Sequence, residues 1–123
     1  MARASKVKPI AITVAGIPPV KSPSIGGHGE NKKRKQKFER EAVRIAKETG
    51  RELELYGKCV RLTIVYHRYR GNVDAANIIG GVADALEGPF YRNDRQITEV
   101  RYKEDPSKKK DEYTVGLESA GQE

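Results

Sequence analysis

VDAANIIGGVADALEGPFYRNDRQI, residues 73–97, is the stretch on which the fold reading turns. At about 100° per residue, Asp74, Asn77, Gly81 and Asp84 fall within one sector of roughly 80°, while Ile78, Ile79, Val82, Ala85 and Leu86 lie opposite. The pattern predicts an amphipathic helix over Asp74–Glu87. Gly71-Asn72 breaks the chain before it and Gly88-Pro89 stops it, with Asn72 or Asp74 as the N-cap. Each of Gly80 and Gly81 costs roughly 0.5–1 kcal/mol relative to alanine in a helix interior. The pair therefore marks either a close approach by another backbone or a ligand, or simply a weak helix. The polar stripe itself is open to two readings, a solvated face or a site with two carboxylates. In FYRNDRQI, Asp94 follows a turn that returns it towards the N-terminal end of this helix, beside Asp74. Hard cations such as Mg²⁺ take oxygen ligands, commonly one or two carboxylates with waters and a phosphate, and Asp74 with Asp94 offers such a pair.

Outward from this segment, residues 96–103 and 112–118 alternate as strands, with Val100 and Tyr102 on one face of the first and Tyr113, Val115 and Leu117 on one face of the second. The connection DPSKKKD predicts an antiparallel hairpin between them. Upstream, CVRLTIVYHRY (59–69) has the period of a half-buried strand. Phe38, Ala42, Ile45 and Ala46 form one stripe of a helix running from Asn31 to Gly50. PIAITVAGI (9–17) is a buried first strand closed by Gly16 and Pro18-Pro19. Between strand and helix, residues 18–31 are rich in Pro, Ser and Gly and predict a mobile loop, and the tail 119–123 predicts a frayed end. The expected architecture is one α+β domain over 1–123, in β-α-β-α-β-β order, with two helices on one face of a mixed sheet.

Composition agrees with one domain. The sequence has 123 residues, 37% of them hydrophobic and 33% charged, with 24 Lys and Arg against 17 Asp and Glu for a net charge of +7. Such a length supports a single core rather than a multidomain enzyme, and the cation excess favours a polyanionic partner. A single cysteine, Cys59, excludes an internal disulfide framework, and only two histidines argue against structural zinc. The N-terminal apolar stretch is short and broken, so it reads as a strand rather than a leader or membrane span. A cytoplasmic location is expected.

The run Asp74 to Gly88, followed by Asn93-Asp94-Arg95-Gln96-Ile97, resembles the signature of the RusA family of Holliday junction resolvases: Asp-x-Asp-Asn-x-x-Lys, then Asp-Ala-Leu, then an Asp-Asp-x-Gln-Val-like stretch. The matches are Asp74, Asn77, Asp84, Ala85, Leu86, Asp94 and Gln96. Two positions depart: Ala76 stands at the second aspartate and Gly80 at the lysine. The resemblance implies a structure-specific endodeoxyribonuclease, active as a homodimer on four-way DNA junctions in recombination and repair. It implies Mg²⁺ as cofactor, with Mn²⁺ as a substitute. Asp74 and Asp94 would be the catalytic, metal-holding residues, with Asn77 and Asp84 in support. Asn72, Asp84 and Glu99 remain open as sources of the missing ligand. The departures keep an alternative in view, a degenerate relative that binds branched or duplex DNA without cutting it.

Lys32, Lys33, Arg34, Lys35 and Lys37 crowd the expected start of the first helix, where the macrodipole disfavours cations by about 0.3–1 kcal/mol each. That cost makes the run a candidate for phosphate contact. Arg68, Arg70, Arg92 and Arg95 bracket the carboxylates in sequence and are candidates for contacts closer to the metal. Lys108–Lys110 reads as a solubilising turn. His28, His67 and Cys59 form no recognisable catalytic arrangement.

Overall fold

Alternate residues of three strands are buried, and this one-sided pattern organises the molecule. The computed structural model describes residues 8–120. In chain order the elements are β1 (Ile10–Ala15), α1 (His28–Thr49), β2 (Val60–His67), α2 (Ala75–Leu86), a 3-10 turn (Asp94–Gln96), β3 (Ile97–Glu104) and β4 (Glu112–Ser119). The β-α-β-α-β-β order and the α+β class are as read from the sequence. Ile12, Val115 and Ile64 are paired across β1, β4 and β2, so their side chains share one face of the sheet. That face forms a single core cluster with Phe38, Ala42 and Ala46 of α1 and Ile78, Val82 and Leu86 of α2. Both helices therefore cover the same side. Among the described residues, no helix is long and apolar enough to cross a membrane.

The sheet corrects one expectation. Its strand order is β1-β4-β2-β3: β4 lies antiparallel between β1 and β2, and β3 runs parallel to β2 at the edge. β3 and β4 form no hairpin. Tyr113, Val115 and Leu117 are fully buried and belong in a central strand, whereas β3 has no buried residue and carries Glu99, Arg101 and Lys103, charges that suit an exposed edge. The connection 105–111 instead arches over the end of β2. There the Asp105 N–H donates to the Tyr66 carbonyl at 2.9 Å, and the Asp111 carboxylate accepts the Tyr66 hydroxyl at 2.7 Å.

The segment over 18–31 is anchored at its start and passes into α1 at its end. Pro18, Pro19 and Val20 are buried, and α1 begins at His28, three residues earlier than read. The cation run thus falls in the second turn and beyond, past the point where the macrodipole acts most strongly, so that part of the case for phosphate contact weakens. At the other end, Ser119 belongs to β4 and the Ala120 N–H donates to the Cys59 carbonyl at 2.8 Å. Residues 121–123 of the expected frayed tail lie outside the described residues.

The glycine pair of α2 is explained by close approach. A Cβ at Gly81 would stand 2.5 Å from the Pro19 carbonyl oxygen, and one at Gly80 would stand 3.1 Å from Lys21 Cβ. The chain between β1 and α1 is laid directly on the helix, and only glycine leaves the room.

Candidate functional site

Asp74 is the N-cap of α2. Its extended backbone (φ −89°, ψ 159°) leaves Oδ1 to accept the Asn77 N–H at 2.8 Å, as capping chemistry requires. The residue is exposed, and its second oxygen has no partner among the described residues. It lines an open pocket of about 480 Å³ together with Asn72, Asn77, the 20–27 loop, and Glu30, Asn31 and Arg34 of α1.

Two asparagines build the pocket's wall. Asn31 Oδ1 accepts the Val20 N–H at 2.8 Å while its Nδ2 donates to the Val20 carbonyl at 2.9 Å. Asn77 treats Ser22 the same way, at 2.8 and 2.7 Å, and the Asn77 carbonyl accepts the Lys21 N–H at 3.1 Å. Each amide thus satisfies a loop peptide as a neighbouring strand would. Asn77 holds this wall in place.

The turn that delivers Asp74 is held from below by Asp111. Its carboxylate accepts the N–H groups of Tyr69, Arg70 and Gly71 at 2.9–3.1 Å as well as the Tyr66 hydroxyl. Partial burial pushes its pKa up, but these donors outweigh that and hold the carboxyl at about 2. Gly71 is required at this point, since a Cβ there would stand 2.1 Å from the Tyr66 hydroxyl oxygen.

Asp94 sits elsewhere. It opens the 3-10 turn that follows α2, and Ile97 just beyond it pairs with Val60 at the start of β2, whereas Asp74 follows the end of β2. The two carboxylates flank opposite ends of α2, a helix of 12 residues and so about 18 Å long. The expectation that the turn returns Asp94 beside Asp74 is therefore corrected: the chain after Leu86 folds towards β2's beginning. Among the described residues, no group of three or more His, Cys, Asp or Glu side chains is placed to hold a metal ion. Asn72 lines the same pocket as Asp74, whereas Glu99 pairs with Arg61 and Arg101.

Gln96 fixes the Asp94 turn. Its Oε1 accepts the N–H groups of Arg92 and Asn93 at 2.9 and 3.2 Å, and its Nε2 donates to the carbonyls of Leu55 and Lys58, each at 2.9 Å. With Asn93 it forms a capping box. Tyr91, fully buried just before, donates its hydroxyl to the Ala83 carbonyl. Burial pushes its phenol up, with the nearby Asp94 charge adding to the effect.

The cations divide sharply. Arg68 is committed to structure, clasping Glu104 with two nitrogens at 2.9 and 2.6 Å and donating to the Gly71 carbonyl at 2.8 Å. Lys35 pairs with Asp84 at 3.3 Å, which turns Asp84 into a tie between α1 and α2. Lys37 donates to the Ala15 carbonyl at 2.6 Å. Arg34 borders the Asp74 pocket, and Arg70 stacks on Tyr69 at 5.3 Å just before it. Arg92 and Arg95 are exposed on the Asp94 turn, and Lys32 and Lys33 are exposed on α1; these four have no side-chain partner among the described residues. The sequence reading gave no role to Asn31 or Asp111, and it placed Gln96 only as a match to the family signature. The Asn93–Gln96 spacing is a readable capping signal; the other two act across long stretches of chain and leave no local sign.

Net charge +7, Arg34 bordering the open pocket at Asp74 and exposed arginines on the Asp94 turn suit a polyanionic partner. The family model for the endodeoxyribonuclease RusA matches residues 9–118, and the chain belongs to that family. Its kind is therefore that of the Holliday-junction-resolvase-type endodeoxyribonucleases, hydrolases that act on branched DNA and are generally dependent on a divalent metal. No curated protein matches the sequence.

Proposed function

We propose that this protein is a Mg²⁺-dependent, structure-specific endodeoxyribonuclease that resolves four-way DNA junctions in recombination and repair, and that each active site is shared between two copies of the chain. The observation that carries the second half is the placement of Asp74 and Asp94 at opposite ends of α2. Within one chain these residues do not fit a common cation. A two-fold pair of chains brings Asp74 of one copy to Asp94 of the other, and the same symmetry matches the two equivalent strands to be cut. Asp74 then contributes its uncapped oxygen and Asp94 its unpaired carboxylate. Arg34 and Arg70 beside the first, and Arg92 and Arg95 beside the second, neutralise phosphate charge. When bound there, Mg²⁺ or Mn²⁺ supplies polarisation of the scissile phosphate and activation of water.

The test uses two inactive variants. Asp74→Asn and Asp94→Asn each abolish symmetric nicking of a synthetic four-way junction in Mg²⁺, and EDTA abolishes it in the wild type. Mixed and re-equilibrated, the two variants form heterodimers with one intact site, so activity returns to about a quarter of wild type under random pairing. Sites contained within one chain would leave the mixture dead.

Ala76 supports a second reading. The first turn of α2 contains no acidic residue, so each site has fewer carboxylates than the family signature. Junction retention without nicking in any metal identifies a non-cutting binder; equal behaviour towards linear duplex and junction overturns both readings.

A further inference from the structure

Lys21 is the residue for which the notch in α2 is shaped. Its stem lies across Gly80, with Cβ, Cδ and Cγ at 3.1, 3.2 and 3.8 Å from where a side chain at position 80 would begin. Its backbone is unusually constrained for a loop. The Lys21 N–H is held by the Asn77 carbonyl, and the flanking residues Val20 and Ser22 are gripped by Asn31 and Asn77. Yet the side chain is exposed, and its ammonium has no carboxylate or carbonyl partner among the described residues. A lysine ordinarily loses much rotamer freedom when its stem is held, and here no internal ion pair offsets the loss. The glycine pair adds a further cost to helix stability. The arrangement favours an external anion.

We propose that Lys21 is a DNA-phosphate contact of the cleavage site, delivered from the loop onto α2; this rests on the junction-acting function proposed above. Position 80 is where the family signature has its lysine, and the Lys21 stem lies against that position, a turn from Ala76 and on the helix that Asp74 caps. The charge missing from the helix comes from the loop. Gly80 is then the space through which the contact is made. A lysine introduced at position 80 would press on the Lys21 stem, which would have to give by a few tenths of an ångström.

The test is the salt dependence of binding to a synthetic four-way junction in EDTA, with melting temperature as the fold control. Lys21→Gln keeps the stem and removes the charge. It is expected to weaken binding about tenfold, to lower the slope of log K against log salt by about 0.9, and to melt as the wild type does. Lys21→Arg keeps the affinity and slope. The swap Lys21→Gly/Gly80→Lys recovers the slope that Lys21→Gly loses. An unchanged slope in Lys21→Gln overturns the proposal, whether or not its melting temperature falls, since a structural role moves stability and leaves the slope. If the wild type has no junction preference, the functional reading fails first and this inference fails with it.

Discussion

Asp111 shows how much of the site depends on one side chain outside it. Four donors converge on its carboxylate, three of them backbone N–H groups of the turn leading to Asp74. Removing it by Asp111→Ala leaves those donors without an acceptor, at a cost of about 1–3 kcal/mol, measurable as a lower urea midpoint with unchanged slope. Its folded pKa of about 2 lies below the unfolded value of roughly 3.9. The associated stability is therefore present above about pH 4 and is lost as pH falls towards 2. Glu104, held at about 2 chiefly by hydrogen bonds from Arg68 and Tyr102, loses its contribution in the same window. Melting temperature is expected to fall across that range, and less steeply in Asp111→Asn. Gly81 gives a sign test. Helix propensity alone predicts a gain of about 1 kcal/mol for Gly81→Ala, but the new Cβ would meet the Pro19 carbonyl at 2.5 Å. Overpacking prevails, with a net loss of about 1–3 kcal/mol read from denaturant unfolding.

Between elements, Gln96 and Asn77 do comparable work on the two carboxylates. Gln96 ties the Asp94 turn to the 51–58 connection through both ends of its amide, and Asn77 ties α2 to the 20–22 segment. Gln96→Ala is expected to accelerate amide exchange at Arg92 and Asn93 while leaving the β4 amides protected, as measured by hydrogen–deuterium exchange. The turn is local and opens without the sheet. The helix and strand identities were legible because period and caps are written within a few residues, as with Asp74 before Ile78 and Val82; the Asn93–Gln96 capping signal is equally local but went unread. The β3–β4 arrangement was not. A charged connection containing Asp-Pro is compatible with a tight hairpin or with an arch over a third strand, and the choice fell to burial of Tyr113, Val115 and Leu117 against both helices.

For the assembled domain, the governing fact is the distance along α2 between its two carboxylates. A shared site makes cleavage depend on association. Specific activity is expected to drop on dilution through the dimer–monomer transition, followed in parallel by light scattering, while far-UV circular dichroism is retained if the monomer stays folded. Constant specific activity across that transition would contradict shared sites. The charge distribution follows the same geometry. Of the candidate cations, Arg34 borders the Asp74 pocket and Arg92 and Arg95 are exposed on the Asp94 turn, while Arg70 stacks on Tyr69 and Arg68 and Lys35 are used internally by Glu104 and Asp84.

Local chemistry in the chain was enough to establish the order of elements, to narrow the cap of α2 to Asn72 or Asp74, to mark Gly80-Gly81 as either a close approach or a weak helix, and to display the family signature, because each depends on neighbours within a helical turn or a strand. Folding in three dimensions decided which strand fills the centre of the sheet, which cations remain free, that Lys21 fills the glycine notch, and that Asp74 and Asp94 lie apart. Those outcomes are set by competition among distant groups for burial and for hydrogen-bond partners, and residues 21 and 80, or 71 and 111, are brought together only by the tertiary fold.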